Sequence, residues 1–197
     1  MNVRAIGISA VLGTITMFAW QAVSQTAIPW HAATMREIPD TTAKAIPAIR
    51  QLGKTNGVYF SRYGALIAVR VASDNSDQMS NGVMGLMLAR QAGIDLVVVV
   101  ALCGLVGFLT DRSPVGVAKA TALGGFAMIT VQELAMANWY GFSMSWTMVN
   151  IVDQTISFFL TGLVVGVLML RLDRDAAVAV PDGQGYRTSG GRKTVAS

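Results

Sequence analysis

The chain has 197 residues, of which 53% are hydrophobic and 13% charged, with a formal charge of +4; an average soluble domain is roughly 25% charged. Its 15 basic residues form no dense stripe and accompany no nucleic-acid signature. Duplex or single-strand binding is therefore excluded, and anionic lipid headgroups are the simpler counterpart for positive charge at helix ends.

The first segment, Ala5 to Ser24, reads AIGISAVLGTITMFAWQAVS and is uninterrupted by charge until His31. About twenty such residues span a hydrocarbon core near 30 Å. Arg4 supplies a basic flank on one side, and Trp20 and Trp30 supply interfacial anchors on the other. The small residues Ala22 and Ser24 also fit a signal-peptide cut site. The length of the apolar run and the bulk of Phe18 and Trp20 favour an uncleaved anchor over residues 1–24.

Residues 25–90 change character, holding most of the charged side chains before the second apolar run. Asp40 is expected to cap a helix running through Gln51 and ended by Gly53, with Pro47 inside it implying a kink or a break. Gly57 to Phe60 and Ala65 to Val71 read as two short strands separated by Ser61-Arg-Tyr-Gly64. A helix plus a hairpin makes a small core, so this α+β extramembrane domain is expected to lean on the membrane helices or on a partner.

Gly82 to Arg90 is an amphipathic lead-in to a second span, about Ala92 to Thr110. Its centre is rich in β-branched residues, but its length exceeds that of a buried strand and decides for a helix. Cys103 lies inside this run; as the only cysteine it cannot form an intrachain disulfide and is expected to serve as a small buried hydrophobe. Asp111-Arg-Ser-Pro114 makes a turn.

A third span covers about Val115 to Ala137, with Gly116, Ala120 and Gly124 forming a ridge for close helix approach. Asn138 to Trp146 follows as an aromatic interfacial loop. The fourth span, about Thr147 to Leu170, contains Gly162 and Gly166 four residues apart and is closed by Arg171-Leu-Asp-Arg174. Between Lys119 and Arg171 there is no Lys or Arg, and the only acids are Glu133 and Asp153. Spans two to four thus occupy 91–174, and 175–197 is expected to be a disordered tail. The fold expected is a membrane all-α bundle of four transmembrane helices with a small α+β domain between the first and second.

Basic residues near the span ends set the orientation. Arg4, Arg112, Lys119, Arg171 and Arg174 lie at one boundary, against chiefly Arg36 and Arg90 at the other. Both termini are accordingly expected in the cytoplasm.

The acids Asp95, Glu133 and Asp153 all fall toward the outer boundary when counted at 1.5 Å per residue. Ionised carboxylates within hydrocarbon must pair, protonate or reach water. Arg90, Arg36 and His31 are the partners that topology allows. On the fourth helix Asn150, Asp153, Gln154, Ser157 and Thr161 share one face. The candidate polar or ion site is therefore His31, Asp95, Glu133, Asn150, Asp153, Gln154 and Ser157; the plainer alternative is interhelical hydrogen bonding with ordinary boundary acids.

One histidine does not make a zinc site. No Walker, dinucleotide, HExxH or GxSxG pattern occurs, so no catalytic residue, metal or cofactor is expected.

With Pro29-Trp30-His31 after the first span and Gly57-Val-Tyr-Phe60 in the outer segment, the chain resembles a group of small bacterial inner-membrane proteins of unknown function. The resemblance covers nearly the whole chain. It implies a bacterial envelope location and carries no activity.

The leading expectation is a non-enzymatic scaffold or accessory subunit of a membrane assembly. Its partners are the bilayer and another membrane protein, or a second copy through small-residue helix faces. The alternatives are a small transport or ion-handling component and, third, a membrane-embedded enzyme.

Overall fold

The computed structural model describes residues 3–35, 57–60, 66–69 and 81–178. Among these residues four helices are long and apolar enough to cross a bilayer, and the chain is a multi-pass membrane protein. Helix α1 covers Val3–Thr26, α3 Asn81–Val106, α4 Pro114–Tyr140 and α5 Met144–Val178. A short helix, α2, covers Trp30–Thr34. The 24 residues of α1 rise about 36 Å, enough for the hydrocarbon core. Leu123, Met128 and Val131 are 70%, 75% and 74% exposed on α4. A lipid surround accounts for such outward apolar side chains; water does not.

Sequence chemistry sets the ends of these helices. Ser113 caps α4 by accepting from the Gly116 N–H at 3.0 Å, and Pro114 follows at the first helical position. Gly141, at φ 73°, ends the same helix in the left-handed conformation that only glycine enters cheaply. Ser143 then starts α5, its hydroxyl accepting from the Trp146 N–H at 3.3 Å.

Helix α1 packs against both α3 and α5, and α4 packs against α5. A single apolar core joins them, including Met17, Val99, Cys103, Val117, Val165 and Met169. Cys103 is wholly buried there. Helices α1, α3 and α5 meet at Gly13, where an added Cβ would stand 2.7 Å from Val99 and 3.0 Å from Val165.

The structure departs from the sequence expectation in several places. The lead-in Gly82 to Arg90 continues into the second span as expected, but the helix stops at Val106 rather than Thr110. Gly107 follows, and Arg112 reaches back to hold the turn beyond the helix, donating to Gly107 O at 2.7 Å and Leu109 O at 3.3 Å. The third helix extends through Tyr140, which shortens the loop before α5.

The ridge of Gly116, Ala120 and Gly124 is not the face that meets α5. Gly124 has open space beside it, whereas Gly125 lies under Phe158 and Thr121 lies over Gly162. Thr121 also donates to Phe158 O at 3.0 Å, so a hydroxyl fixes the rotation of α4 about its axis. Gly162 and Gly166 are likewise consumed inside the chain, against Ala118 and Thr121 and against Pro114 and Val117 respectively. The glycine pair thus faces α4 of the same chain.

The fourth helix runs on to Val178, so 175–178 is helical instead of part of a tail. Asp175-Ala-Ala-Val178 contains good helix formers, and the first helix breaker beyond it is Pro181.

Strands β1, Gly57–Phe60, and β2, Leu66–Val69, pair antiparallel with Gly57 opposite Val69 and Phe60 opposite Leu66. Among the described residues no helix belonging to this segment covers them, so the small α+β domain is not supported as a unit. The helix expected from Asp40 to Gln51 lies outside the described residues, as does 179–197.

Candidate functional site

The last two turns of α1 carry Trp20, Gln21, Ser24 and Gln25. After Thr26 the backbone turns, with Ala27 N donating to Val23 O at 2.8 Å, and Pro29 leads into α2. This turn folds His31 back toward α5, where its side chain and that of Asp153 are both 2% exposed. His31 Nε2 lies 3.1 Å from Asp153 Oδ2.

Asp153 has both oxygens engaged. Trp20 Nε1 donates to Oδ1 at 2.8 Å and sits 3.3 Å from the Asp153 backbone oxygen. An ionised carboxylate only accepts hydrogen bonds, so the His31 nitrogen facing it carries a proton. Ser24 Oγ and the Gln25 amide lie 3.3 and 3.2 Å from that same nitrogen. A protonated Nε2 requires the Gln25 amide to present its oxygen rather than its NH2 group, an assignment the heavy-atom geometry permits. Trp30 completes the turn by donating to Ser24 Oγ at 3.1 Å and Ser24 O at 3.2 Å.

Aromatic rings enclose the imidazole. Trp30 and Trp146 meet it edge-on at centroid distances of 5.8 and 5.7 Å, and Trp20 meets Trp30 at 6.4 Å. Edge-to-face packing of this kind adds to the burial of the pair. Low local polarity strengthens the His31–Asp153 attraction and raises the cost of separating it.

The other acids go elsewhere. Asp95 is 2% exposed and accepts from Gln91 Nε2 at 2.9 Å and Gln21 Nε2 at 3.3 Å. Neighbouring residues Trp20 and Gln21 thus reach to different helices, one to α5 and one to α3. Glu133 accepts from Asn150 Nδ2 at 3.3 Å, joining α4 to α5. Gln154 is half-buried. Ser157 is fully buried with its hydroxyl unpartnered among the described residues.

The seven sequence-predicted residues therefore resolve into separate contacts instead of one site. His31 and Asp153 come together; Asp95, and Glu133 with Asn150, form two other nodes. Arg90, expected as a possible counter-charge, is exposed, and Arg36 lies outside the described residues. Sequence reasoning missed Trp20, Trp30 and Trp146 as parts of the site because aromatics at span ends fit interfacial anchors equally well. It also missed Gln21 and Gln91. The position of Gln91 four residues before Asp95, on one helix face, was the available signal.

Among the described residues no group of three or more His, Cys, Asp or Glu side chains is placed to hold a metal ion. The chain matches no protein family, no curated protein and no solved structure.

Proposed function

We propose that the chain is a non-enzymatic membrane scaffold or accessory subunit that fixes the root of its outer segment to the bundle and offers that segment to a membrane-protein partner. The buried His31–Asp153 contact carries this reading. His31 stands at the start of the segment between the first two spans, and Asp153 belongs to the last span. Their pairing gives the chain leaving α1 a fixed direction. Basic flanks at Arg4, Arg112, Lys119, Arg171 and Arg174 support cytoplasmic termini, and the resemblance in Pro29-Trp30-His31 supports a bacterial inner membrane.

Gentle extraction of the full chain from its native membrane tests the reading. Recovery in a larger, detergent-resistant assembly is expected, with His31→Ala reducing partner recovery at equal membrane insertion. A dispersed monomer with no associated protein would overturn it.

A small ion-handling component is the second reading. It is favoured by buried polar atoms without hydrogen-bond partners among the described residues: His31 Nδ1, Asp95 Oδ2, Thr147 Oγ1 and Ser157 Oγ. Such atoms are costly in a dry interior and suit a hydrated path. Under this reading Asp153→Asn abolishes solute-dependent behaviour while expression is kept; unchanged behaviour removes it.

A further inference from the structure

At the bundle end opposite His31, α5 floors a cleft of about 270 Å³ between the end of α3 and the start of α4. Val106, Val117, Met169 and Leu170 form its apolar wall, while Arg112, Asp173 and Arg174 supply its charge. The volume falls just below the roughly 300–1,000 Å³ typical of pockets for whole small ligands. It suits part of a larger amphiphile.

We infer that this cleft binds one anionic phospholipid with a hydroxylated headgroup, of the phosphatidylglycerol class. Arg112 spends two donor positions on the carbonyls of Gly107 and Leu109, which holds the guanidinium in place and leaves its other N–H groups for a phosphate. Arg174 lines the same cleft, is exposed, and has no ion-pair partner among the described residues. Asp173 would repel a bare anion, but its carboxylate accepts hydrogen bonds from headgroup hydroxyls. A glycerol headgroup offers both features, and the first methylenes of an acyl chain lie against Val106 and Leu170. Basic pockets between membrane helices at a headgroup boundary recognise anionic lipids by this combination.

Full-length protein, delipidated in detergent, is titrated with dioleoyl phosphatidylglycerol or dioleoyl phosphatidylcholine and read by native mass spectrometry. One phosphatidylglycerol per chain is expected, held about tenfold more tightly than phosphatidylcholine, whose choline cation meets the net positive charge of Arg112, Arg174 and Asp173 and offers no hydroxyl to Asp173. The double variant Arg112→Gln, Arg174→Gln should bring the two lipids level. Arg174→Gln alone, which disturbs no internal contact, should lower the preference part of the way. Equal binding of both lipids by the wild type, or an unchanged preference in both variants, would overturn the assignment. Displacement of phosphatidylglycerol by excess inorganic phosphate would also overturn it, in favour of a free-anion site.

Discussion

His31 Nε2 and Asp153 Oδ2 are 3.1 Å apart across 122 positions of sequence, inside a shell of three tryptophans. The contact ties the segment leaving the first span to the last span. Truncating one partner leaves the other buried without its counterpart, a change that typically costs about 3–5 kcal/mol. His31→Ala is therefore expected to lower the thermal midpoint of the detergent-solubilised protein strongly. Asp153→Asn should be milder, because its amide oxygen still accepts from Trp20 and its NH2 group can donate to a neutral imidazole. Equal effects of the two substitutions would contradict this ordering.

Trp20→Phe keeps an aromatic ring and removes one donor. The indole N–H reaches Asp153 Oδ1 at 2.8 Å, and a hydrogen bond to a charged group contributes about 1.5–3 kcal/mol. Unfolding measurements should show a loss of that order. The loss should shrink when Trp20→Phe is made on an Asp153→Asn background, since the acceptor is then neutral. A loss that is the same on both backgrounds would place the effect in ring packing.

Two glycines on neighbouring helices should respond differently to added bulk. Gly162 is roofed by Thr121 and Ala118, so Gly162→Leu must push α4 away from α5 and is expected to destabilise by about 1–3 kcal/mol. Gly124 has open space where a side chain would stand, and Gly124→Leu should leave monomer stability unchanged. Comparable destabilisation by both would refute this rotation of α4.

The turn between α3 and α4 responds to acid. The Ser113 backbone N–H donates to Asp111 Oδ1 at 2.9 Å and holds its carboxyl below the ordinary range, helped by the Ser113 hydroxyl and by Lys119. A depressed carboxylate contributes stability above its unfolded value, about 3.9, and loses it as pH falls through the folded value. Between pH 6 and pH 3, thermal midpoints should fall slightly more for the wild type than for Asp111→Asn. Parallel pH profiles would show that this turn adds nothing.

The spans were legible because a bilayer demands about twenty apolar residues closing their own hydrogen bonds, and Ala5 to Ser24 or Thr147 to Leu170 can hardly do otherwise. Helix rotation was less legible. Gly124 and Gly125 are adjacent small residues, and only the fit of Phe158 and Thr121 decides which of them faces α5. The polar face of the fourth helix was visible, but its partners depend on where side chains of other helices arrive. Asp153 meets His31 and Trp20, whereas Asn150, three residues earlier, meets Glu133. Nothing in the local pattern distinguishes those two outcomes. His31 was one of three partners, with Arg36 and Arg90, that topology offered to the acids; the enclosing tryptophans carried no such signal.

A double-mutant cycle tests the clamp most directly. His31→Ala, Asp153→Ala and their combination are compared with wild type by reversible unfolding in one detergent, which isolates the pairwise coupling from the separate costs of truncation. A coupling of about 1–3 kcal/mol is expected, so that the combined variant loses much less than the sum of the single losses. Additive losses, with coupling under about 0.5 kcal/mol, would mean that the two side chains are neighbours without holding the chain together.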